Sequence, residues 1–222
     1  MKLSEEMKNK TLLSFELFPP KTEKGLQNLP GTIDHLMKYN PSYISCTYGA
    51  GGGNVGANRE VCQMIKNAGT TPVTHFTVIK NTKEGIKEQL DQYLADGVDH
   101  MLALRGDIPL GETTTCGDFD YATDLVKFVR DTYGDKFEIA VAGSPEGHIS
   151  CRSLESDIAV LKQKQDNGAD YIMTQLCWDM EQFKYWLDAI RKAGITMPVD
   201  VGVMPILDQA ATINMALSRN GC

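Results

Sequence analysis

The feature that most constrains the fold is a repeat of short apolar, β-branched runs along the chain. Seven such runs begin 28 to 38 residues apart, at Ser14, Tyr43, Pro72, His100, Glu138, Tyr171 and Asp200. A spacing this regular is typical of one strand and one helix per repeat. It predicts seven βα units that build a parallel sheet with crossover helices.

Segments with helical periodicity lie between these runs and have recognisable ends. Asp179-x-x-Gln182 predicts a helix start, and Asn81-x-x-Glu84 resembles a capping box. Glycines that follow the apolar stripes predict where several helices end. The predicted segments cover residues 57–68, 81–97, 121–132, 153–167, 179–194 and 208–218.

Two architectures are compatible with alternating strands and helices: a doubly wound open sheet and a (β/α)8 barrel of the TIM type. An open sheet that binds nucleotides usually has a glycine-rich turn after its first strand, but here that strand ends in Phe18-Pro19-Pro20. The near-constant period therefore favours the barrel, as a single domain over residues 1–222. Seven units use nearly all 222 residues, so we expect a C-terminally incomplete barrel that lacks the eighth unit.

Composition and charge exclude several function classes. A net charge of -7 argues against nucleic acid as a partner, and no apolar run reaches the roughly 18 residues of a membrane span. The polar N-terminus has no secretory signal, and the six cysteines are scattered, which argues against a bound metal. We therefore expect a cytoplasmic protein with no metal and no membrane partner.

Polar residues at the C-terminal ends of the predicted strands are the candidate active site, because TIM-type barrels bind their ligands there. These residues are Glu16, Thr47, Tyr48, His75, Arg105, Asp107, Ser144, Glu146, His148 and Gln175. A carboxylate within an apolar strand, as at Glu16, is costly unless it is paired or used. Its desolvation should raise its pKa and suit it to general-acid catalysis.

Simpler structural roles remain open for these residues. Glu16 would be structural if it paired with a neighbouring cation, and Arg105 and Asp107 would be structural if they paired with each other. The glycine-rich run that follows Tyr48 could present N–H groups to an anion, or could be only a loop.

The chain resembles the methylenetetrahydrofolate reductase family from Ser14 to about Ala210. The motifs that carry the resemblance are SFELFPPKT (14–22), SYISCTYGAGGG (42–53), THFTVI (74–79), HMLALRGDIP (100–109), DYATDLV (120–126), SPEGH (144–148), DIAVLKQKQDNGADYIMTQLCWD (157–179) and GVMPI (202–206). Each motif is weak alone, but their order and spacing together are specific.

The resemblance implies a barrel that holds FAD and reduces 5,10-methylenetetrahydrofolate to 5-methyltetrahydrofolate with NAD(P)H, in one-carbon metabolism and methionine biosynthesis. It implies Glu16 as the general acid, Asp107 as a catalytic residue that also contacts cofactor and substrate, and Gln175 as a substrate ligand. Thr47 matches a position that contacts the nicotinamide cofactor. The positions that match FAD ligands are Tyr48, Ala50, His75, Arg105, Gly106, Ala122, His148, Asp157 and Lys164.

The resemblance also implies a homo-oligomer, and some family members receive electrons through a partner subunit. Two other interpretations of the sequence compete with the flavin enzyme. One is a flavin-free barrel of the methyltransferase type that binds a pterin or folate, and the other is an inactive truncated subunit.

Overall fold

The computed structural model describes residues 2–48, 55–108, 111–148, 151, 153–204 and 206–216. Seven parallel strands form one sheet in the order of the chain. They are β1 (Ser14–Leu17), β2 (Tyr43–Cys46), β3 (Thr71–Thr77), β4 (His100–Leu104), β5 (Glu138–Gly143), β6 (Tyr171–Thr174) and β7 (Val199–Asp200). Each strand begins within one residue of its predicted position, and the prediction of seven units of a TIM-type barrel is confirmed.

Eight α-helices are described, and a short 3-10 helix covers Gly134–Lys136. The α-helices are α1 (Leu3–Met7), α2 (Glu23–Met37), α3 (Val55–Asn67), α4 (Lys83–Ala95), α5 (Ala122–Tyr133), α6 (Leu154–Asp166), α7 (Met180–Lys192) and α8 (Gln209–Ala216). Within the described ranges, no helix has both the length and the apolar character that crossing a membrane requires.

The helix starts test the capping predictions. Asp179 caps α7 as predicted, because its Oδ1 accepts hydrogen bonds from the N–H groups of Glu181 and Gln182. The prediction at Asn81 was wrong by one residue, since α4 is capped by Thr82. Asn81 instead donates its Nδ2 to the Thr77 carbonyl at 3.1 Å, which holds it in the preceding loop.

Two apolar clusters lie on opposite faces of the sheet. The larger one packs the helices against the outside of the strands and includes Phe76 and Trp186. The smaller one fills the barrel interior with one residue from each of five strands and Leu3 of α1; the strand residues are Tyr43, Val73, Leu102, Ala140 and Tyr171. Strand residues alternate between these two clusters, as the pleat requires.

The sheet curls far enough to bring its first and last strands together inside the barrel. Asp200 on β7 accepts a hydrogen bond from Tyr43 on β2 and another, at 3.3 Å, from Ser14 on β1. These contacts cross the interior without any backbone pairing between β7 and β1. They fix the curvature on which the placement of the strand ends depends.

Helix α1, which the sequence did not reveal, covers the N-terminal end of the barrel. The Glu138 carboxylate accepts hydrogen bonds from the N–H groups of Leu3 and Ser4, at 2.7 and 2.8 Å, and from the Ser4 hydroxyl at 2.5 Å. His100 Nε2 lies 2.9 Å from the same carboxylate, and its Nδ1 lies 2.6 Å from Asp99. This end is therefore held by a buried polar network.

Candidate active site at the barrel mouth

The C-terminal strand ends form the mouth of the barrel, and Glu16 and His75 face each other inside it. Glu16 Oε2 lies 3.8 Å from His75 Nε2. His75 is buried, and its Nε2 has no hydrogen-bond partner among the described residues. In the described part of the chain, no basic side chain other than His75 lies within 4.0 Å of Glu16.

The two groups have opposite pKa shifts with the same cause. Burial raises the pKa of Glu16 above its ordinary value and lowers the pKa of His75 to about 4. The Glu16 side chain is 46% exposed, so solvent screens part of this shift. His75 is neutral at neutral pH, so it supplies no cation that would make Glu16 half of a structural ion pair.

A second group of polar residues lies at the ends of β4 and β5. The backbone N–H of His148 donates to the Asp157 carboxylate on α6 at 3.3 Å, and Lys164 Nζ donates to the Ala142 carbonyl at 3.0 Å. Burial lowers the pKa of His148, the Asp157 charge opposes this, and the charges of Arg105 and Lys164 lower it further. The structure thus brings Arg105, His148, Asp157 and Lys164 into one electrostatic group, in which burial lowers the pKa of Lys164 and the Asp157 charge opposes that shift.

The backbone after β4 passes close to β3 at Gly106. Gly106 has φ +85, and a Cβ there would lie 2.5 Å from Ile79 Cγ1 and 3.1 Å from Thr77 Cβ. Only glycine therefore suits this position, both in conformation and in space. Arg105 donates its Nε to the Gly106 carbonyl at 3.2 Å, and among the described residues it makes no ion pair with Asp107.

Tyr48 has its side chain turned away from the interior. Its hydroxyl donates to Gln89 on α4 at 2.8 Å, and its ring packs 5.7 Å from that of Phe76 in the outer cluster. Only the Tyr48 backbone is thus left to face the mouth. Ala50, another predicted FAD ligand, lies outside the described residues.

Asn58, which the sequence reasoning missed, holds the end of β2 from the helical side. Its Nδ2 donates to the carbonyls of Cys46 and Thr47 at 3.0 and 3.1 Å. Its Oδ1 accepts from Thr74 at 2.8 Å and from Tyr93 at 2.7 Å. A signal existed, because Asn58 lies three and seven residues before Val61 and Ile65 and is therefore a polar residue on the apolar stripe of α3.

The remaining predicted residues lie at the mouth without a shared contact. Asp107 is exposed after β4, and Ala122 is the first residue of α5. Gln175 follows β6, where its N–H donates to the Gly143 carbonyl at 2.8 Å and its Oε1 accepts from the Leu176 N–H at 3.3 Å. Glu146 accepts hydrogen bonds from the loop after β6.

Comparisons with known proteins point to one family. The chain matches the profile of methylenetetrahydrofolate reductase over residues 2–218. It is 38% identical over 219 residues to methylenetetrahydrofolate reductase (NADH) 1 of Arabidopsis thaliana, covering 93% of this chain and 37% of that protein. It is 34% identical over 202 residues to 5,10-methylenetetrahydrofolate reductase of Escherichia coli, covering 90% and 67%. The chain thus spans less than two fifths of the length of the plant relative.

Solved structures support the fold. An uncharacterized protein from Clostridium thermocellum that binds two copies of 5-methyl-5,6,7,8-tetrahydrofolic acid has a TM-score of 0.66 at 14% identity, over 90% of this chain and 68% of that one. A 2,3-dimethylmalate lyase has a TM-score of 0.60 at 13% identity, over 89% and 68%. The profile match over nearly the whole chain, with the E. coli relative, shows that the chain belongs to the methylenetetrahydrofolate reductase family.

Proposed function

We propose that the protein binds FAD at the barrel mouth and reduces 5,10-methylenetetrahydrofolate to 5-methyltetrahydrofolate with NAD(P)H as co-substrate. The observation that carries this proposal is Glu16, a desolvated carboxyl group facing a neutral histidine inside a barrel of this family. A carboxyl group that keeps its proton to a higher pH than usual is suited to general-acid catalysis.

The residues at the mouth fit FAD. Arg105 and Lys164, the two cations that act on His148, suit a diphosphate. Gly106 lets the backbone next to Arg105 pack closely against Thr77 and Ile79. His75 Nε2 and Thr77 Oγ1 are buried on the interior face of β3 without partners among the described residues, so polar groups remain there for a ligand to satisfy.

When bound, FAD supplies the hydride that reduces the one-carbon bridge of the folate. In our proposal Glu16 donates its proton to the folate nitrogen that departs as the five-membered ring opens. Ring opening leaves a cationic iminium on the folate, and the exposed Asp107 carboxylate at the mouth stabilises that charge. Gln175 hydrogen-bonds the pterin ring through its amide, and Thr47 contacts the nicotinamide cofactor.

Anaerobic stopped-flow absorbance tests the proposal in its two halves. The purified protein should absorb at about 450 nm, bleach with NADH or NADPH, and recover when methylenetetrahydrofolate is added. NADH is the first donor to test, because the Arabidopsis relative is named for it. Glu16→Gln should abolish the recovery step and leave bleaching by the donor intact, since only the folate step needs the proton.

The control is Glu88→Gln, the same chemical change at an exposed position of α4, which should leave both steps unchanged. A colourless protein that still binds folate would instead indicate the flavin-free barrel. A yellow protein that neither donor bleaches would indicate that a partner protein supplies the electrons. Equal recovery in the wild type and Glu16→Gln would show that Glu16 is not the acid.

A further inference from the structure

Glu146 joins two loops at the mouth that carry different predicted ligands. Its Oε1 accepts hydrogen bonds from the backbone N–H groups of Trp178 and Asp179, at 2.9 and 3.2 Å. Glu146 lies in the loop of residues 144–148 after β5, and its two donors lie in the loop of residues 175–179 after β6. We call this three-residue contact the Glu146 bridge.

A second hydrogen bond supports the same junction. Gln182 Nε2 on α7 donates to the Pro145 carbonyl at 3.1 Å, next to Glu146. Asp179, one of the two donors to the bridge, is also the residue that caps α7 through Glu181 and Gln182. The bridge therefore fixes the start of α7 and the loop after β6 to one point on the neighbouring loop.

The Glu146 side chain is negatively charged when it makes the bridge. The hydrogen bond from the Trp178 N–H has the largest effect and lowers the pKa of this carboxyl group; burial opposes it, and the Asp179 N–H lowers the pKa further. Backbone N–H groups bind a carboxylate more strongly than a neutral acceptor. The bridge is therefore present across the neutral range of pH.

The strands do not need the bridge to stay together. The β5–β6 ladder already extends to the Gly143 carbonyl, which accepts from the Gln175 N–H at 2.8 Å. Beyond this point the contacts of Glu146 and Gln182 connect the two loops, and Glu146 itself is exposed. The bridge thus orders the loops far more than it stabilises the fold.

We propose that Glu146 is a positioning residue. It holds the loop that carries Gln175 against the loop that carries His148, in the arrangement that binds folate. This inference rests on the proposed function, because it assigns Gln175 to the folate and His148 to the flavin. It adds a residue that touches neither ligand and acts through backbone N–H groups. The folate step should therefore depend on Glu146, whereas the nicotinamide step should not.

The test compares Glu146→Ala, Glu146→Gln and Glu181→Gln in steady-state and stopped-flow kinetics. Glu146→Ala should raise the KM for methylenetetrahydrofolate about tenfold, while the rate of flavin reduction by NAD(P)H changes less than about twofold. Glu146→Gln should restore the KM to within about threefold of the wild type, because one amide oxygen can accept both N–H bonds. Glu181→Gln is the matched control, since that exposed carboxylate pairs only with Lys184 among the described residues.

Hydrogen exchange of the ligand-free protein gives a second measurement. The amides of Trp178 and Asp179 should exchange faster in Glu146→Ala, and those of β5 and β6 should not. An unchanged folate KM in a folded Glu146→Ala, or an equal loss in the flavin and folate steps, would overturn the positioning role. A wild type that is not bleached and reoxidised would contradict the proposed function itself, so the two failures are distinguishable.

Discussion

The two ends of the barrel each hold a glutamate and a histidine, and the pKa shifts of the two pairs have opposite signs. At the mouth, Glu16 and His75 lie 3.8 Å apart, with the pKa of Glu16 raised and that of His75 lowered to about 4. At the N-terminal end, which α1 covers and which we call the closed end, Glu138 and His100 lie 2.9 Å apart, and the pKa shifts are reversed. Glu138 has its pKa lowered to about 2, and His100 has its pKa raised to about 9.

The difference lies in the partners, since burial acts on both pairs in the same direction. Burial alone would raise the pKa of Glu138, but the His100 imidazolium at 2.9 Å and hydrogen bonds from the Ser4 hydroxyl and the α1 backbone outweigh it. Burial alone would lower the pKa of His100, but the carboxylates of Asp99 and Glu138 outweigh it. The mouth has no such partners among the described residues. The same residue types therefore form a charged pair at one end and stay without such partners at the other.

The largest effect is expected from Glu138→Gln. The change removes the charge that holds the α1 N–H groups and leaves the His100 cation without its buried partner. Breaking a buried ion pair from one side costs about 3 kcal/mol or more, so the free energy of unfolding should fall by that amount in urea titrations. Because the mouth is untouched, the FAD binding proposed above should change little at low urea.

Glu5→Gln is the control for that variant. Glu5 is also in α1, but it is exposed and pairs with Lys8 at the surface, so its loss should cost less than about 0.5 kcal/mol. A loss below about 1 kcal/mol in Glu138→Gln would show that the closed end is not held by charge.

The closed end was also the part that the sequence could least predict. All seven strands could be located because each is a local run of apolar residues, and Asp179 could be identified as a cap because its partners are two and three residues away. Helix α1 has only five residues, and it is anchored by Glu138, more than 130 residues along the chain. No local pattern encodes such a partner, and neither Leu3 nor Ser4 is unusual by itself.

The positions of residues at the mouth were easier to predict, because TIM-type barrels bind ligands at the C-terminal strand ends and only the strands had to be located. This reasoning placed Glu16, His75, Arg105 and Gln175 at the mouth without a known structure. It did not predict the direction of the Tyr48 side chain, which depends on Gln89 and Phe76 from other elements. Nor did it find Asn58, whose role depends on hydrogen bonds to three other elements of the fold.

A smaller effect should appear in the pH dependence of stability. Glu138 binds protons more weakly in the folded chain than in the unfolded chain. Its contribution to the free energy of unfolding is therefore complete above about pH 4.5 and is lost as the pH falls through about 2. His100 binds its proton more tightly when folded, so its contribution is complete below about pH 6.5 and is lost as the pH rises through about 9.

Urea titrations at about pH 3, 5.5 and 9.5 would measure both changes, as the difference between the wild type and Glu138→Gln. That difference should be largest at the middle pH, because the contribution of Glu138 already falls below about pH 4.5, where its carboxyl group is protonated in the unfolded chain, and that of His100 falls above about pH 6.5. A difference that does not change across the three pH values would contradict the opposed pKa shifts of this pair.

The smallest effect has the opposite sign and comes from Glu16→Gln. A carboxyl group whose folded pKa is raised opposes folding once it ionises in the unfolded chain, above about pH 4.5, and the cost is complete above its folded pKa. Removing the charge should therefore stabilise the ligand-free protein at neutral pH by about 0.5 kcal/mol, a value kept small because the side chain is 46% exposed and solvent screens it. The gain should vanish near pH 4, where both states hold the proton, and Glu88→Gln should show none. Destabilisation by Glu16→Gln at neutral pH would mean that Glu16, like Glu138, contributes to stability, and the contrast between the two ends would fail.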